Sequence, residues 1–151
     1  MKKIFILFLF FLFCPLSILW ASYWSGEWSG RATERSNFTS IYGTLSLALQ
    51  QTDSEYSLEE GVFSSKGVQK KWGPDRYTIQ EGRLFLDQKE VGSISDSAIH
   101  ILYEVKNATG TIFIEQMLIR IDAEHLQYQE QYIVNKRVLY GLSGTLTKIS
   151  P

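Results

Sequence analysis

Thr44-Leu45-Ser46-Leu47-Ala48-Leu49-Gln50-Gln51 is the stretch that decides the fold class. Leucines at 45, 47 and 49 alternate with small or polar residues at 46, 48 and 50. A period of two gathers the leucines on one face of an extended strand and the polar residues on the other. The spacing predicts a half-buried strand over Ser40 to Gln51.

The same pattern recurs on either side. Toward the N-terminus, Trp24-Ser25-Gly26-Glu27-Trp28-Ser29-Gly30-Arg31 places Trp24, Gly26, Trp28 and Gly30 on one face and Ser25, Glu27, Ser29 and Arg31 on the other. Glycine beside tryptophan leaves room for the indole ring to lie against the backbone. Toward the C-terminus, Thr52-Asp53-Ser54 turns the chain into a strand marked by Tyr56, Leu58 and Val62. Ser64 to Asp75 is rich in Gly, Lys and Pro and reads as a long loop, a length that often serves function. Short strands follow at Arg76–Gln80, Leu84–Leu86 and Glu90–Ser95, separated by Glu81-Gly82, Asp87-Gln88 and Asp96-Ser97. Longer ones are expected at Ala98–Val105, Thr111–Ile121, Leu126–Val134 and Val138–Ile149. Closely spaced strands with short connections predict an all-β, antiparallel up-and-down meander of eight to ten strands closing into a barrel.

Residues 1–21 read differently. Lys2 and Lys3 precede an unbroken apolar run from Ile4 to Leu12, and small residues follow at Ala21 and Ser22. That is the order of a secretory signal peptide. The expected division is a leader over 1–21 and one barrel domain over 22–151, exported to the periplasm or secreted. The alternative is an uncleaved membrane anchor over residues 4–21. The 15 basic residues, less Lys2 and Lys3, leave 13 against 16 acidic ones, a net −3 with no bias toward nucleic acid. Cys14 is the only cysteine, so the domain after the leader has no disulfide and no thiol chemistry, and its aromatic core must supply the stability.

Motifs for catalysis are sparse. There is no G-x-S-x-G elbow and no H-E-x-x-H or calcium-loop spacing, and no cofactor or metal is expected. His100 and His125 lie in separate contexts, and Glu27, Glu104, Glu115 and Glu130 are the strand-borne carboxylates. The reading is therefore non-enzymatic. Glu130 stands apart. Leu126, Tyr128, Glu130, Tyr132 and Val134 share one strand face, so an inward aromatic face carries a carboxylate with it. Such a group needs hydrogen bonds, and it can orient the polar end of a ligand. Tyr128, Glu130 and Tyr132 are the expected ligand-binding residues. Lys70, Lys71 and Trp72, in the expected loop, are assigned to a portal able to touch a membrane surface.

Gly26-Glu27-Trp28 matches the G-x-W of the first strand of lipocalins and related calycin barrels. The chain resembles that superfamily in architecture over residues 22–149, although it has no T-D-Y-like second motif and no helix pattern before the final strands. The resemblance implies that Gly26, Trp28 and Trp24 close one end of a barrel. It also implies a basic residue packed on the tryptophan, for which Arg137 and Arg120 are the candidates. The interior would hold a small apolar molecule, for which an eight-strand barrel has room. A protein-interaction or inhibitor module with a filled barrel is the alternative function.

Overall fold

The structure, a computed structural model, describes residues 23–150, and the expected leader lies outside the described residues. Eleven strands run in chain order: β1 (Gly26–Ser36), β2 (Ser40–Gln51), β3 (Glu55–Ser65), β4 (Val68–Trp72), β5 (Asp75–Gln80), β6 (Arg83–Leu86), β7 (Lys89–Ile94), β8 (Ala98–Asn107), β9 (Gly110–Arg120), β10 (His125–Val134) and β11 (Arg137–Ser150). Every pairing is antiparallel, and there is no helix among the described residues. The ladder runs from β2 through β1 and β11 back down the chain to β3, and pairing of β2 with β3 closes the ring.

One wall position is built from two strands. Glu55–Leu58 of β3 pairs with β5, whereas Gly61–Ser65 of the same strand pairs with β4. Gly73-Pro74 separates the two pieces: Gly73 has φ 98° and Pro74 carries no N–H for a ladder. The ring therefore has ten positions. Diameter grows roughly linearly with strand number, so this barrel is about a quarter wider than an eight-strand one.

The long loop expected over Ser64–Asp75 is instead mostly sheet. β3 continues to Ser65, a Lys66-Gly67 turn with φ 48° and 78° reverses the chain, and Lys70, Lys71 and Trp72 lie in β4. Two left-handed residues make the tight hairpin turn whose twist matches the flanking strands. Val68, Lys70 and Trp72 do alternate toward the barrel, but a lysine in the middle of the inward face hides the pattern. Glu81-Gly82, Asp87-Gln88 and Asn135-Lys136 turn in the same left-handed way.

Leu45, Leu47 and Leu49 point inward and are buried. With Trp24, Trp28, Ile99, Leu118, Leu126 and Leu146 they fill one end of the barrel. Trp24 Nε1 donates to the Ser95 carbonyl at 2.9 Å, tying the chain before β1 to the β7–β8 turn. Trp28 Nε1 donates to the Trp24 carbonyl at 3.1 Å. Both indoles thus bury their rings and satisfy their one donor. The cation over Trp28 is Lys148, 5.4 Å from the ring, because β1 pairs Trp28 with Lys148 across β11. Arg120 lies over Tyr23 at 4.7 Å, and Arg137 sits at the opposite end of β11. Neither arginine has the role that the resemblance implied.

Candidate functional site

Away from the tryptophans the inward face changes character. Following the alternation from Trp28 and Ala32, β1 turns Glu34 into the barrel, where it is buried. The inward row of β10 runs from Leu126 to Tyr128, Glu130 and Tyr132, and that of β11 from Leu146 through Leu142 to Tyr140. β8 and β9 add Tyr103, Ile114 and Gln116, and β5 adds Asp75 and Tyr77. Tyr103, Ile114, Tyr132 and Tyr140 are only half-buried despite pointing inward, so this half of the interior is less tightly packed than the tryptophan end.

Glu130 sits at its floor. Glu130 Oε2 accepts from Tyr128 Oη at 2.6 Å and from Gln116 Nε2 at 2.9 Å, and all three side chains are buried. Tyr132, two residues along the same inward row, also hydrogen-bonds toward Glu130. Burial, reinforced by the neighbouring Glu130 charge, pushes the Tyr128 phenol well above its ordinary range. Tyr132 is raised by the same two causes in the same order. Burial, then Asp75 and Glu130, raises Tyr103 to about 12. These tyrosines remain neutral donors at any physiological pH.

A second carboxylate lies nearer the mouth. Glu34 accepts from Lys70 Nζ at 2.6 Å and 2.7 Å through its two oxygens, and from Tyr140 Oη at 3.3 Å. Lys70 also lies 5.9 Å from the Tyr140 ring, which is tilted against Tyr132 with centroids 5.0 Å apart. Beside this pair is a cavity of about 340 Å³ lined by Glu34, Ile41, Phe63, Val68, Lys66 and Lys70 among others. Its lining is mostly apolar.

The wall has a notch. β7 pairs with β8 only over Gly92–Ile94 against Ile99–Ile101, and β6 has four residues. Above them Leu102–Asn107 of β8 pairs with β9 alone, and β4 pairs with β3 alone. Among the described residues no strand spans the space between the free edges of β4 and β8. Trp72 stands at that edge with its ring over Gly61, where a side chain would collide with it. Its indole Nε1 is buried without an acceptor, which is unusual for a buried donor.

Asp75 lies at the foot of the notch, and burial raises its pKa above 3.8. A carboxyl that is more easily protonated in the fold than in the unfolded chain contributes stability at low pH. That contribution is lost as pH rises through the folded-state pKa. Asp75→Asn, a neutral mimic, is expected to melt progressively higher relative to the parent as the pH rises above the ordinary aspartate value of about 4. Thermal melts at each pH read this, and a constant difference would rule it out.

The site residues read from the sequence thus fall in three places. Tyr128, Glu130 and Tyr132 lie together on the inward face of β10. Trp24 and Trp28 lie in the packed end, with Gly26 opening β1 beside them. Lys70 and Trp72 point inward from β4, while Lys71 faces out and pairs with Glu60 at 3.2 Å. Glu34, Asp75, Tyr103, Gln116 and Tyr140 join the site without having been expected there. Their inward parity with buried neighbours was available: Glu34 is in step with Trp28 and Ala32, and Tyr140 with Leu142. The histidines are not brought together. His100 faces outward and meets Glu115 at 2.8 Å, and His125 meets Asp122 at 2.9 Å in the β9–β10 turn. Among the described residues no group of three or more His, Cys, Asp or Glu side chains could hold a metal ion.

No protein-family model and no curated protein matches the sequence. Solved structures do match in shape. A protein of unknown function from the DUF3598 family of Nostoc punctiforme PCC 73102 superposes with a TM-score of 0.56 at 16% identity, over 83% of this chain and 47% of that one. The chain thus spans about half of that protein's length. A redesigned β-barrel matches with a TM-score of 0.47 at 10% identity, over 83% of this chain and 91% of the design. The likeness to the DUF3598 protein is one of fold.

Proposed function

We propose that this chain is an exported, non-enzymatic binding protein of lipocalin-like design, holding a small amphipathic molecule in the open half of its barrel. The observation that carries the reading is the state of the inward polar groups. Glu130 is a buried carboxylate on the inward face, held by Tyr128 and Gln116 through Oε2, and Trp72 presents a buried N–H without an acceptor. The half-buried Tyr103, Ile114 and Tyr132 form the next inward row beside Glu130. Buried polar atoms in a folded protein are normally paired, so a group left open inside a barrel suits a ligand or water that completes it. The notch between β4 and β8 offers a way in, and the wider ring offers room. The charge, apolar run and small residues of 1–21 support export.

The polar end of the ligand is a hydrogen-bond donor, a hydroxyl or an amine, because a carboxylate would meet Glu130 with like charge. The test is a titration with N-phenyl-1-naphthylamine, followed by displacement with dodecylamine, dodecanol or dodecanoate. Saturable one-to-one fluorescence is expected, with the amine and the alcohol displacing the dye at least about tenfold better than the carboxylate. Absence of saturable binding, or dodecanoate as the best competitor, would sink the reading.

A further inference from the structure

The two ends of the barrel carry opposite charge. The four turns at the tryptophan end, between β2 and β3, β5 and β6, β7 and β8, and β9 and β10, contain Asp53, Glu81, Asp96, Asp122 and Glu124, with Arg83 and Arg120 the only Lys or Arg directly beside them. On the opposite side Arg35, Lys66, Lys106, Lys136 and Arg137 stand in or near the hairpin tips of the open end, against a single acidic turn residue, Asp87 between β6 and β7. Among the described residues only Lys106 of these five is ion-paired, at 3.6 Å from Glu104. A net charge near zero for the whole chain hides this separation.

Large apolar side chains are exposed at the same rim. Phe38, at the tip of the β1–β2 turn, is 95% exposed, Tyr42 75% and Val68 63%. Val138 beside the β10–β11 turn is also exposed. Tyr42 and Val68 also border the cavity beside Glu34 and Lys70, whereas Phe38 stands free in solvent. Together with the unpaired cations they make the combination that suits an anionic bilayer: apolar tips entering the head-group layer, with Lys and Arg around them to meet phosphates. The acidic turns at the far end favour the same orientation, since an anionic surface repels them.

We infer that the open rim, from Phe38 and Lys66 across to Lys136 and Arg137, is a docking surface for an anionic lipid membrane, set so that the barrel mouth faces the bilayer. The inference does not rest on the ligand reading: it concerns the outside of the rim, and vesicle binding is measured apart from dye uptake.

The experiment is co-sedimentation of residues 22–151, whose ring of strand pairings closes within residues 26–150, with vesicles of phosphatidylcholine alone or mixed with phosphatidylglycerol. Leaving the leader out keeps its apolar run from binding lipid itself. The protein is expected to sediment with the mixed vesicles, to stay in solution with phosphatidylcholine alone, and to be released by high salt. The triple variant Lys66→Asn, Lys136→Gly, Arg137→Gln is expected to bind the mixed vesicles about a hundredfold more weakly. Asn and Gly suit the left-handed conformations at 66 and 136, so these changes spare the fold, and a thermal melt verifies that. Phe38→Ser, at a fully surface position, tests the apolar part and is expected to weaken binding severalfold. Equal binding to both vesicle types, no binding to either, or a triple variant that binds like the parent would overturn the proposal. A rim that ignores vesicles but captures an acidic protein would overturn it too.

Discussion

Trp28→Ala is expected to destabilise the barrel by about 3–5 kcal/mol, the usual range for deleting a large buried aromatic. The melting temperature should fall by roughly 10–20 °C for a domain of this size. Trp28 is 1% exposed, and three independent contacts meet on it. Its ring packs among the leucines of β2, its N–H donates to the Trp24 carbonyl, and Lys148 covers its outer face. No disulfide within residues 22–151 shares the task of shutting this end of the ring, which falls to Trp28, Trp24 and the aliphatic side chains packed with them. Trp28→Phe keeps most of the apolar volume and leaves the buried Trp24 carbonyl without its donor, so the loss should shrink to about 1–3 kcal/mol. Calorimetric melts of both variants separate plug from hydrogen bond. An alanine variant that melts like the parent would mean that the tryptophan end is not what holds the barrel closed.

The second large effect is expected at Glu130. Tyr128→Phe removes one of the donors on a buried carboxylate and should cost about 1–3 kcal/mol, because the deficit falls on a group cut off from water. Glu130→Leu should cost a similar amount for the opposite reason, since the Tyr128 hydroxyl and the Gln116 amide lose their acceptor. Combined, Tyr128→Phe and Glu130→Leu should cost less than the sum of the two, with a coupling of about 1–3 kcal/mol, as expected of direct partners. Strict additivity in denaturant unfolding would show that the two groups do not share a hydrogen bond. The single Glu130→Leu variant should also lose its preference for amines and alcohols over carboxylates, linking the network to the ligand.

Much of this was legible in the sequence, and the failures have physical causes. The strands of β2 and β8 to β11 follow from alternation that no helix could use, and Glu130 was placed inward because it lies in step with Tyr128 and Tyr132. β4 was missed because Lys70 occupies the middle of its inward face and finds its counter-charge in Glu34, which is distant in sequence and adjacent only once β1, β2 and β3 curl together. Which cation covers Trp28 depends on the register of β11 against β1, shifted by an irregularity between Glu27 and Trp28. Alternation carries no such information. The short β6 and β7 could be seen in the sequence, but the notch arises from pairing them beside the ten-residue β8, which is a property of the closed ring. The asymmetry between acidic and basic turns was equally hidden until the topology assigned each turn to an end.

The half of the barrel around Glu130 is, in the proposed function, the space for the ligand. The most direct test compares dye binding by the parent with that of Ile114→Trp, which places a large ring inside that half between Tyr103 and Tyr132. Saturable one-to-one binding of N-phenyl-1-naphthylamine is expected for the parent, and its loss in a variant that still melts cooperatively. Undiminished binding by the folded Ile114→Trp protein would put the dye elsewhere and contradict the account.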